Sequence, residues 1–243
     1  MIKKIFFLIC FASFLQACDD KIYYTGDTRI LLQGRILNQN NEPLQGIPLT
    51  IFIEKGERDG WFIIGPSLAD EDVISYTTTD GNGYYKMIIP KPENYDNISM
   101  LINQSSPARE QNTDYSNTVI TDISISDAED YTLNFSEQKL FKLQDSVALT
   151  ITVNNVPDYL NGNLPTNFSG LIHNKIITLD EPFSYNLYLE STTYQNNYST
   201  IKYTFTVAKN QVLAFKYRRN ASNETVEHLI TVGNEPLNYN LNY

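Results

Sequence analysis

The sequence has few of the residues on which compact catalytic or metal sites are usually built. Its 243 residues include two cysteines, two histidines and one tryptophan. Histidine and cysteine are common zinc ligands, and histidine is the most frequent general acid or base. His173 and His228 lie far apart in the chain and match no local spacing such as H-x-x-x-H. The sequence therefore indicates no metal site and no cofactor.

A nucleophilic active site is equally poorly indicated. The sequence contains no G-x-S-x-G segment, which marks the nucleophile of many serine hydrolases. We therefore expect a protein that is not an enzyme. One alternative stays open, a glycan-processing enzyme whose carboxylates lie in loops, because the separation of two carboxylates across a cleft cannot be read from sequence.

Basic residues are outnumbered as well. The chain has 18 lysines and arginines against 28 aspartates and glutamates, which gives a formal net charge of −10. Nucleic acid and anionic membrane surfaces attract proteins with the opposite balance. We therefore expect no nucleic-acid partner.

Long hydrophobic runs are absent apart from one at the start of the chain. Lys3 and Lys4 precede a mostly apolar run at residues 5–15. A helix of that length is about 16 Å long at roughly 1.5 Å per residue, too short for a hydrocarbon core of about 30 Å. A positive start followed by a short apolar run is typical of a secretory signal peptide, which we place at residues 1–17.

The end of this run is more specific. Leu15-Gln16-Ala17-Cys18 resembles the lipobox of bacterial lipoproteins, in which the chain is cut before the cysteine and the cysteine thiol carries lipid. The resemblance implies cleavage between Ala17 and Cys18, acylation with fatty acids such as palmitate at Cys18, and attachment to the outer membrane. Cys10 leaves with the signal peptide, so no disulfide is expected. A chance cysteine in an ordinary secreted protein is the alternative.

Asp19 and Asp20 follow the lipid-bearing position directly. An aspartate here resembles an inner-membrane retention signal of enteric bacteria, whereas acidic residues near the cysteine resemble a surface-export signal of Bacteroidota. The composition, rich in Asn, Tyr and Ile, favours the second interpretation, a lipoprotein that can be exposed at the cell surface. A solvated tether without sorting information is the third.

The remainder of the chain has the pattern of an all-β protein. Short alternating runs are separated by clusters of Asn, Asp, Gly and Pro, which is typical of β-sandwiches. We predict a lipidated tether at residues 18–28, a first antiparallel β-sandwich at 29–137 and a second at 138–243. Among the expected connections is a tight hairpin through Asp80-Gly81-Asn82-Gly83, where Asn and Gly tolerate positive φ.

Three sequence blocks in the first half carry a family resemblance. They are LQGRI at residues 32–36, NEPLQGIPL at 41–49 and TTDGNGYY at 78–85. In this order they resemble the carboxypeptidase regulatory-like domain, which implies a transthyretin-like β-sandwich. That family is named after a domain appended to a peptidase, so the resemblance implies no activity. The second half resembles no family that we recognise.

Two groups of aromatic residues are candidate binding sites, because tyrosine and tryptophan offer flat faces for sugars or proteins. Trp61 and Phe62 lie in an extended connection at residues 54–72, and Tyr194 and Tyr198 flank an Asn-rich stretch. For the first group the competing interpretation is that the connection caps the sandwich and its aromatics are core residues.

The acidic residues at 70–72 and the turn at Asp80 could supply oxygen ligands to calcium. An EF-hand-type loop needs glycine at its sixth position and glutamate at its twelfth. Counted from Asp80, these positions hold Tyr85 and Lys91, so we favour a plain turn.

The sequence thus predicts a lipid-anchored envelope protein that binds a glycan or a protein partner, or has a structural role. An assembly partner of an outer-membrane transporter is a further alternative.

Overall fold

The computed structural model describes residues 22–53, 73–93, 95, 97–106, 109–157, 164, 166–178, 200–219 and 224–243. These residues form β-strands, turns and two short 3-10 helices, Ile125–Asp127 and Leu143–Asp145, with no α-helix among them. The predicted all-β class is therefore confirmed. Within the same ranges, no helix is long and apolar enough to span a bilayer.

The strands are numbered in chain order. Those of the first half are β1 (Tyr24–Leu37), β2 (Pro48–Ile53), β3 (Val73–Thr78), β4 (Tyr84–Pro92), β5 (Asn97–Ile102), β6 (Thr118–Ser124), β7 (Thr132–Asn134) and β8 (Gln138–Lys139). Those of the second half are β9 (Ser146–Asn154), β10 (Thr166–Ser169), β11 (Lys175–Thr178), β12 (Thr200–Ala208), β13 (Gln211–Arg219), β14 (Glu224–Val232) and β15 (Leu237–Asn242).

The first half packs two sheets around one hydrophobic core. One sheet has the order β4-β1-β7, with β8 also paired to β1, and the other has the order β11-β6-β5-β2-β3. Alternate residues of each strand point inward, as the period of two requires. Leu32 of β1, Met87 of β4 and Ile51 of β2 meet in this core, where they are almost fully buried.

The second half repeats this arrangement with the sheets β10-β13-β14 and β12-β9-β15. Its core is rich in aromatic rings. Phe168 of β10 lies with its ring centroid 4.4 Å from that of Phe205 on β12 and 4.9 Å from that of Phe215 on β13. Edge-to-face and tilted contacts of this kind add to the stability that burial alone provides.

Strand direction differs in part from the prediction. Most pairs are antiparallel, but β7 and β8 pair parallel to β1, β11 pairs parallel to β6, and β15 pairs parallel to β9. The strands β8, β10 and β11 were not predicted. Each is two to four residues long, too short for an alternating pattern to stand out.

The tight turn predicted at residues 80–83 is present, with the Gly83 amide donating to the Asp80 carbonyl oxygen at 3.0 Å, but the predicted pairing of the two strands that it joins is wrong. β3 pairs with β2 and β4 pairs with β1, so the two strands joined by this turn belong to different sheets. Gly83, at φ +76°, lies where an added Cβ would meet the carbonyl oxygen of Ile36 and the side chain of Pro43. The turn is therefore held by β1 and the 43–47 segment rather than by a two-strand ladder.

The three sequence blocks that carry the family resemblance meet at this turn. The Thr79 hydroxyl donates to the Leu44 carbonyl oxygen at 2.5 Å and accepts from the Ile47 amide at 3.0 Å. The Ile36 amide donates to the Gly83 carbonyl at 2.9 Å. Each block thus satisfies buried polar groups of another, which gives these residues a structural role.

The first sheet begins earlier than the tether prediction allows. Residues 18–28 were assigned to the tether, but β1 begins at Tyr24, which pairs with Pro92. The Glu93 amide also donates to the Tyr23 carbonyl oxygen at 2.9 Å. Backbone pairing, which a polar segment can make as well as an apolar one, extends the strand towards the N-terminus.

The two hydrophobic clusters draw on separate halves of the chain, but one strand of the second half pairs with a strand of the first. The first includes buried residues from Ile30 to Leu140 and the second those from Val147 to Leu241. β11 leaves the second half and lies parallel to β6 at the edge of the first half's sheet. The Thr118 hydroxyl donates to the Lys175 carbonyl oxygen at 2.7 Å across this pairing.

Candidate functional site

The site residues predicted from sequence lie outside the described part of the chain. This holds for the cleavage and lipidation positions Ala17 and Cys18, and for the acidic pair Asp19 and Asp20. It holds equally for the aromatic candidates Trp61, Phe62, Tyr194 and Tyr198. Their proposed roles stay predictions.

His173 lies where the two halves of the chain meet. Its Nδ1 accepts a hydrogen bond from the Asn117 amide of the first half at 3.3 Å, and its own amide donates to the Thr206 carbonyl of β12 at 2.9 Å. Next to it, the Asn174 amide donates to Asn117 Oδ1 at 3.1 Å. These contacts give His173 a positioning role at the junction.

His228 lies on the inward side of β14 at one end of the second core. Its ring stacks on Tyr217 with centroids 5.8 Å apart and meets Tyr239 edge-on at 6.4 Å. Its Nε2 is buried and has no hydrogen-bond partner. Burial lowers the pKa of His228 below its ordinary value, and the positive charge of Arg219 lowers it further. Both effects favour the neutral form of His228 within the aromatic stack.

The Asp80 carboxylate is used by its own turn. Its Oδ1 accepts from the amides of Asn82 at 2.8 Å and Tyr84 at 2.9 Å, as expected of an Asx turn. Across the described ranges no group of three or more His, Cys, Asp or Glu side chains is arranged to hold a metal ion. The acidic residues at 70–72 lie outside those ranges.

Large exposed side chains lie on the solvent side of the β4-β1-β7 sheet, and others lie on β3, β13 and β14. Tyr84 is 51% exposed and Ile88 is 63% exposed, and Tyr131, which immediately precedes β7, is 67% exposed. We call this surface the outer face and define it by ten residues: Arg29, Leu31, Gln33, Arg35, Tyr84, Lys86, Ile88, Thr132, Asn134 and Glu137.

The strand register places these residues in rows across the sheet. Arg35 of β1 lies opposite Tyr84 of β4, Gln33 lies opposite Lys86, and Leu31 lies opposite Ile88. On the other side of β1, Gln33 lies beside Asn134 and Leu31 beside Thr132. Directly opposed residues of neighbouring strands share one face of a sheet.

Side-chain contacts fix the first two rows. The Arg35 guanidinium lies over the Tyr84 ring at 4.9 Å from its centroid. The same guanidinium donates to the Asn82 carbonyl oxygen at 3.0 Å and to Glu137 Oε1 at 3.2 Å. In the second row the side-chain amide of Gln33 donates through Nε2 to Asn134 Oδ1 at 2.8 Å. Such contacts reduce the entropy that these side chains would lose on binding a ligand.

The outer face has a charge opposite to that of the whole chain. Its cations are Arg29, Arg35 and Lys86, and its one carboxylate is Glu137. Glu137 forms an ion pair with Arg35. Arg29 and Lys86 form no ion pair with a described residue, and Arg29 instead donates to the Gly26 and Thr28 carbonyl oxygens at 3.3 and 3.2 Å.

Sequence reasoning missed this surface although its signal was present. Apolar and polar residues alternate in the sequence at 30–37 and 84–89, which places Gln33, Arg35, Tyr84 and Lys86 on alternate positions. Alternation separates two faces of a strand, but it does not show which strands are neighbours. The rows became visible only with the pairing of β1 with β4 and β7.

Comparisons with known proteins assign no family. No protein-family model matches the chain, and no curated protein matches it. Among solved structures, the TIE protein of Bacillus anthracis is 11% identical, with a TM-score of 0.28, over 88% of this chain and 34% of that protein's chain. This chain therefore spans about a third of that protein's length.

Two further solved structures are similarly distant. The shaft pilin spaA of Lactobacillus rhamnosus GG is 11% identical over 87% of this chain and 96% of its own, with a TM-score of 0.30. The 3-chlorocatechol 1,2-dioxygenase of Rhodococcus opacus 1CP is 16% identical over 51% of this chain and 62% of its own, also with a TM-score of 0.30. At this level of similarity none of the three assigns an activity or a partner to this chain.

Proposed function

We propose that the protein is a lipid-anchored, non-catalytic binding module of the cell envelope, and that the outer face is its contact surface. The observation that carries this proposal is that the exposed side chains of Tyr84 and Ile88 share one face of a sheet with three cations, with exposed Tyr131 beside them. Exposed aromatic and apolar side chains grouped on one surface are typical of interaction sites.

The shape of the surface favours binding over catalysis. An enzyme site excludes water and holds its acid and base within hydrogen-bond reach of one reacting atom. The outer face instead spreads its polar groups over the open side of a sheet, and its single carboxylate is engaged by Arg35. This arrangement suits contact with an extended partner.

The anchor in this proposal is Cys18. β1 begins at Tyr24, so the segment from Cys18 to the first strand extends at most about 22 Å, at roughly 3.3–3.6 Å per residue. A lipid at Cys18 therefore holds the first sandwich close to the membrane surface. Three acyl chains bind a bilayer firmly, because burial stabilises by about 0.8 kcal/mol per methylene.

The anchor is tested by metabolic labelling with palmitate in a bacterium that processes lipoproteins. We expect Cys18→Ala to abolish the label and to move the protein out of the membrane fraction. Ala17→Glu, which places a large charged residue beside the proposed cleavage site, should block processing. Unchanged labelling of Cys18→Ala would remove the anchor from the proposal.

The contact surface is tested by affinity capture from envelope extracts. The full chain is immobilised as wild type, as Lys86→Glu, and as Lys216→Glu. Lys216 is a matched control, because it lies on the solvent side of β13 and pairs with Glu227 at 3.4 Å. We expect the wild type and the Lys216→Glu control to capture the same envelope component, and Lys86→Glu to capture much less of it. Equal capture by all three proteins excludes the outer face as the contact surface.

A further inference from the structure

The ligand class can be inferred from the outer face, provided that the proposed function holds. We infer that the outer face binds a linear acidic polysaccharide, with its carboxylate or sulfate groups on Arg29, Arg35 and Lys86 and its sugar rings on Tyr84 and the Gln33–Asn134 pair. The inference rests on the charge of the face, the spacing of its cations and the chemistry between them.

The charge of the face selects an anion. The chain carries a formal net charge of −10, yet this surface holds three cations and one carboxylate. Arg29 and Lys86 have no acidic partner among the described residues. A local positive surface attracts anionic ligands.

The spacing of the cations selects a long ligand. Arg29 and Arg35 are six residues apart on β1, about 20 Å at roughly 3.3 Å per residue. Lys86 lies on the neighbouring strand, about 4.8 Å to the side, in the row of Gln33. The three charges therefore follow the direction of the strands. Small anions are bound by groups that converge on one point, whereas a line of charges matches a polymer with repeating anionic groups.

The groups between the cations select a sugar over an acidic peptide. The Gln33–Asn134 pair, joined at 2.8 Å, offers amide donors and acceptors to hydroxyl groups, which also donate and accept. Tyr84 is half exposed, and the Arg35 guanidinium over one face of its ring, 4.9 Å from the centroid, holds the ring in a fixed position. Protein partners depend instead on aromatic or aliphatic anchors that enter pockets.

The inference is tested by calorimetry on the full-length chain in detergent with three polymers. Polygalacturonate is the acidic polysaccharide, dextran is the neutral one, and polyglutamate is the acidic polypeptide. We expect binding to polygalacturonate that weakens as salt is raised, and no binding to dextran. Arg29→Gln and Lys86→Gln should each weaken binding about fivefold, while the control Lys216→Gln should leave it unchanged.

Tyr84→Ala separates sugar recognition from charge alone. It should weaken binding to polygalacturonate and leave any weak binding to polyglutamate unchanged. Equal affinity for the two acidic polymers would overturn the sugar part of the inference, because it would show that charge alone is recognised and would favour an acidic protein. Equal affinity for dextran would overturn the charge part.

Failure of the ligand class is distinguishable from failure of the contact surface. If the chain binds none of the three polymers but Lys86→Glu still loses capture of envelope material, the contact surface stands and the acidic polysaccharide is wrong. If capture is also independent of Lys86, both proposals are wrong.

Discussion

Gly34 and Tyr85 face each other across β1 and β4 on the core side of the first sheet. A Cβ on Gly34 would lie 2.5 Å from the Tyr85 hydroxyl oxygen, so the glycine provides the room for the buried ring. That hydroxyl is buried without a hydrogen-bond partner, and burial raises the pKa of Tyr85 above its ordinary value. The glycine of the LQGRI block is thus explained by packing.

Substitutions at these two positions should be coupled. We expect Gly34→Ala to lower the free energy of unfolding by about 1–3 kcal/mol through overpacking. Tyr85→Phe should leave it unchanged or raise it, because an unpaired buried hydroxyl is removed. In the Tyr85→Phe background Gly34→Ala should cost less, since the nearest clashing atom is gone. Urea denaturation measures all four proteins, and an equal cost in both backgrounds would show that the ring does not determine the glycine.

The buried hydroxyl of Thr79 hydrogen-bonds to the backbone of both Leu44 and Ile47. Thr79→Val keeps the shape but leaves the Leu44 carbonyl and the Ile47 amide without their side-chain partner. We expect a loss of about 1–3 kcal/mol in the free energy of unfolding. The neighbouring exposed residue provides the control, Thr78→Val, which should change stability by less than about 0.5 kcal/mol. Similar midpoints of urea denaturation for the two variants would show that the hydrogen bonds of Thr79 to Leu44 and Ile47 do not stabilise the fold.

At the scale of the element, periodicity predicted the long strands and failed where pairing decides structure. β9, β12 and β13 have alternating sequence patterns that predict each strand to within a residue or two of its ends. β11, four residues long, exists because β6 offers it an edge in the other half of the chain. The same limit explains the hairpin error at Asp80 and the missed outer face, since partners of a strand are not encoded in its own alternation.

His228 on β14 should make the stability of the protein depend on pH. Because its folded pKa is lowered, protonation favours the unfolded chain. The stabilisation is complete above pH of about 6.5, the ordinary pKa, and is lost as the pH falls from there through the lowered pKa. In His228→Phe, which retains an aromatic ring between Tyr217 and Tyr239, this part of the slope should disappear.

Thermal unfolding from pH 7.5 to 4.5 measures this difference. The quantity of interest is the difference in stability between wild type and His228→Phe at each pH. Leu229→Ser, at an exposed position of the same strand, serves as the control. Parallel curves for wild type and His228→Phe would mean that His228 does not contribute to the acid sensitivity.

At the scale of the whole molecule, two cores are linked through β11 and the His173 junction, and the outer face holds three cations and one carboxylate. The cores explain how a chain without an expected disulfide is stable, because each buries a continuous set of apolar side chains from two sheets. On the first sandwich, the outer face is the surface that we propose contacts a partner. The proposed function therefore depends on the outer face being occupied in the envelope.

Acetylation of lysines in isolated envelopes, compared with the purified chain, tests this occupancy most directly. Mass spectrometry measures the reactivity of Lys86 on the outer face. Lys216 on β13, in the second half of the chain, serves as the internal reference. We expect Lys86 to react several-fold more slowly in envelopes than in the purified protein, with Lys216 unchanged. Equal reactivity of Lys86 in both preparations would show that the outer face is unoccupied and would refute the proposed contact surface.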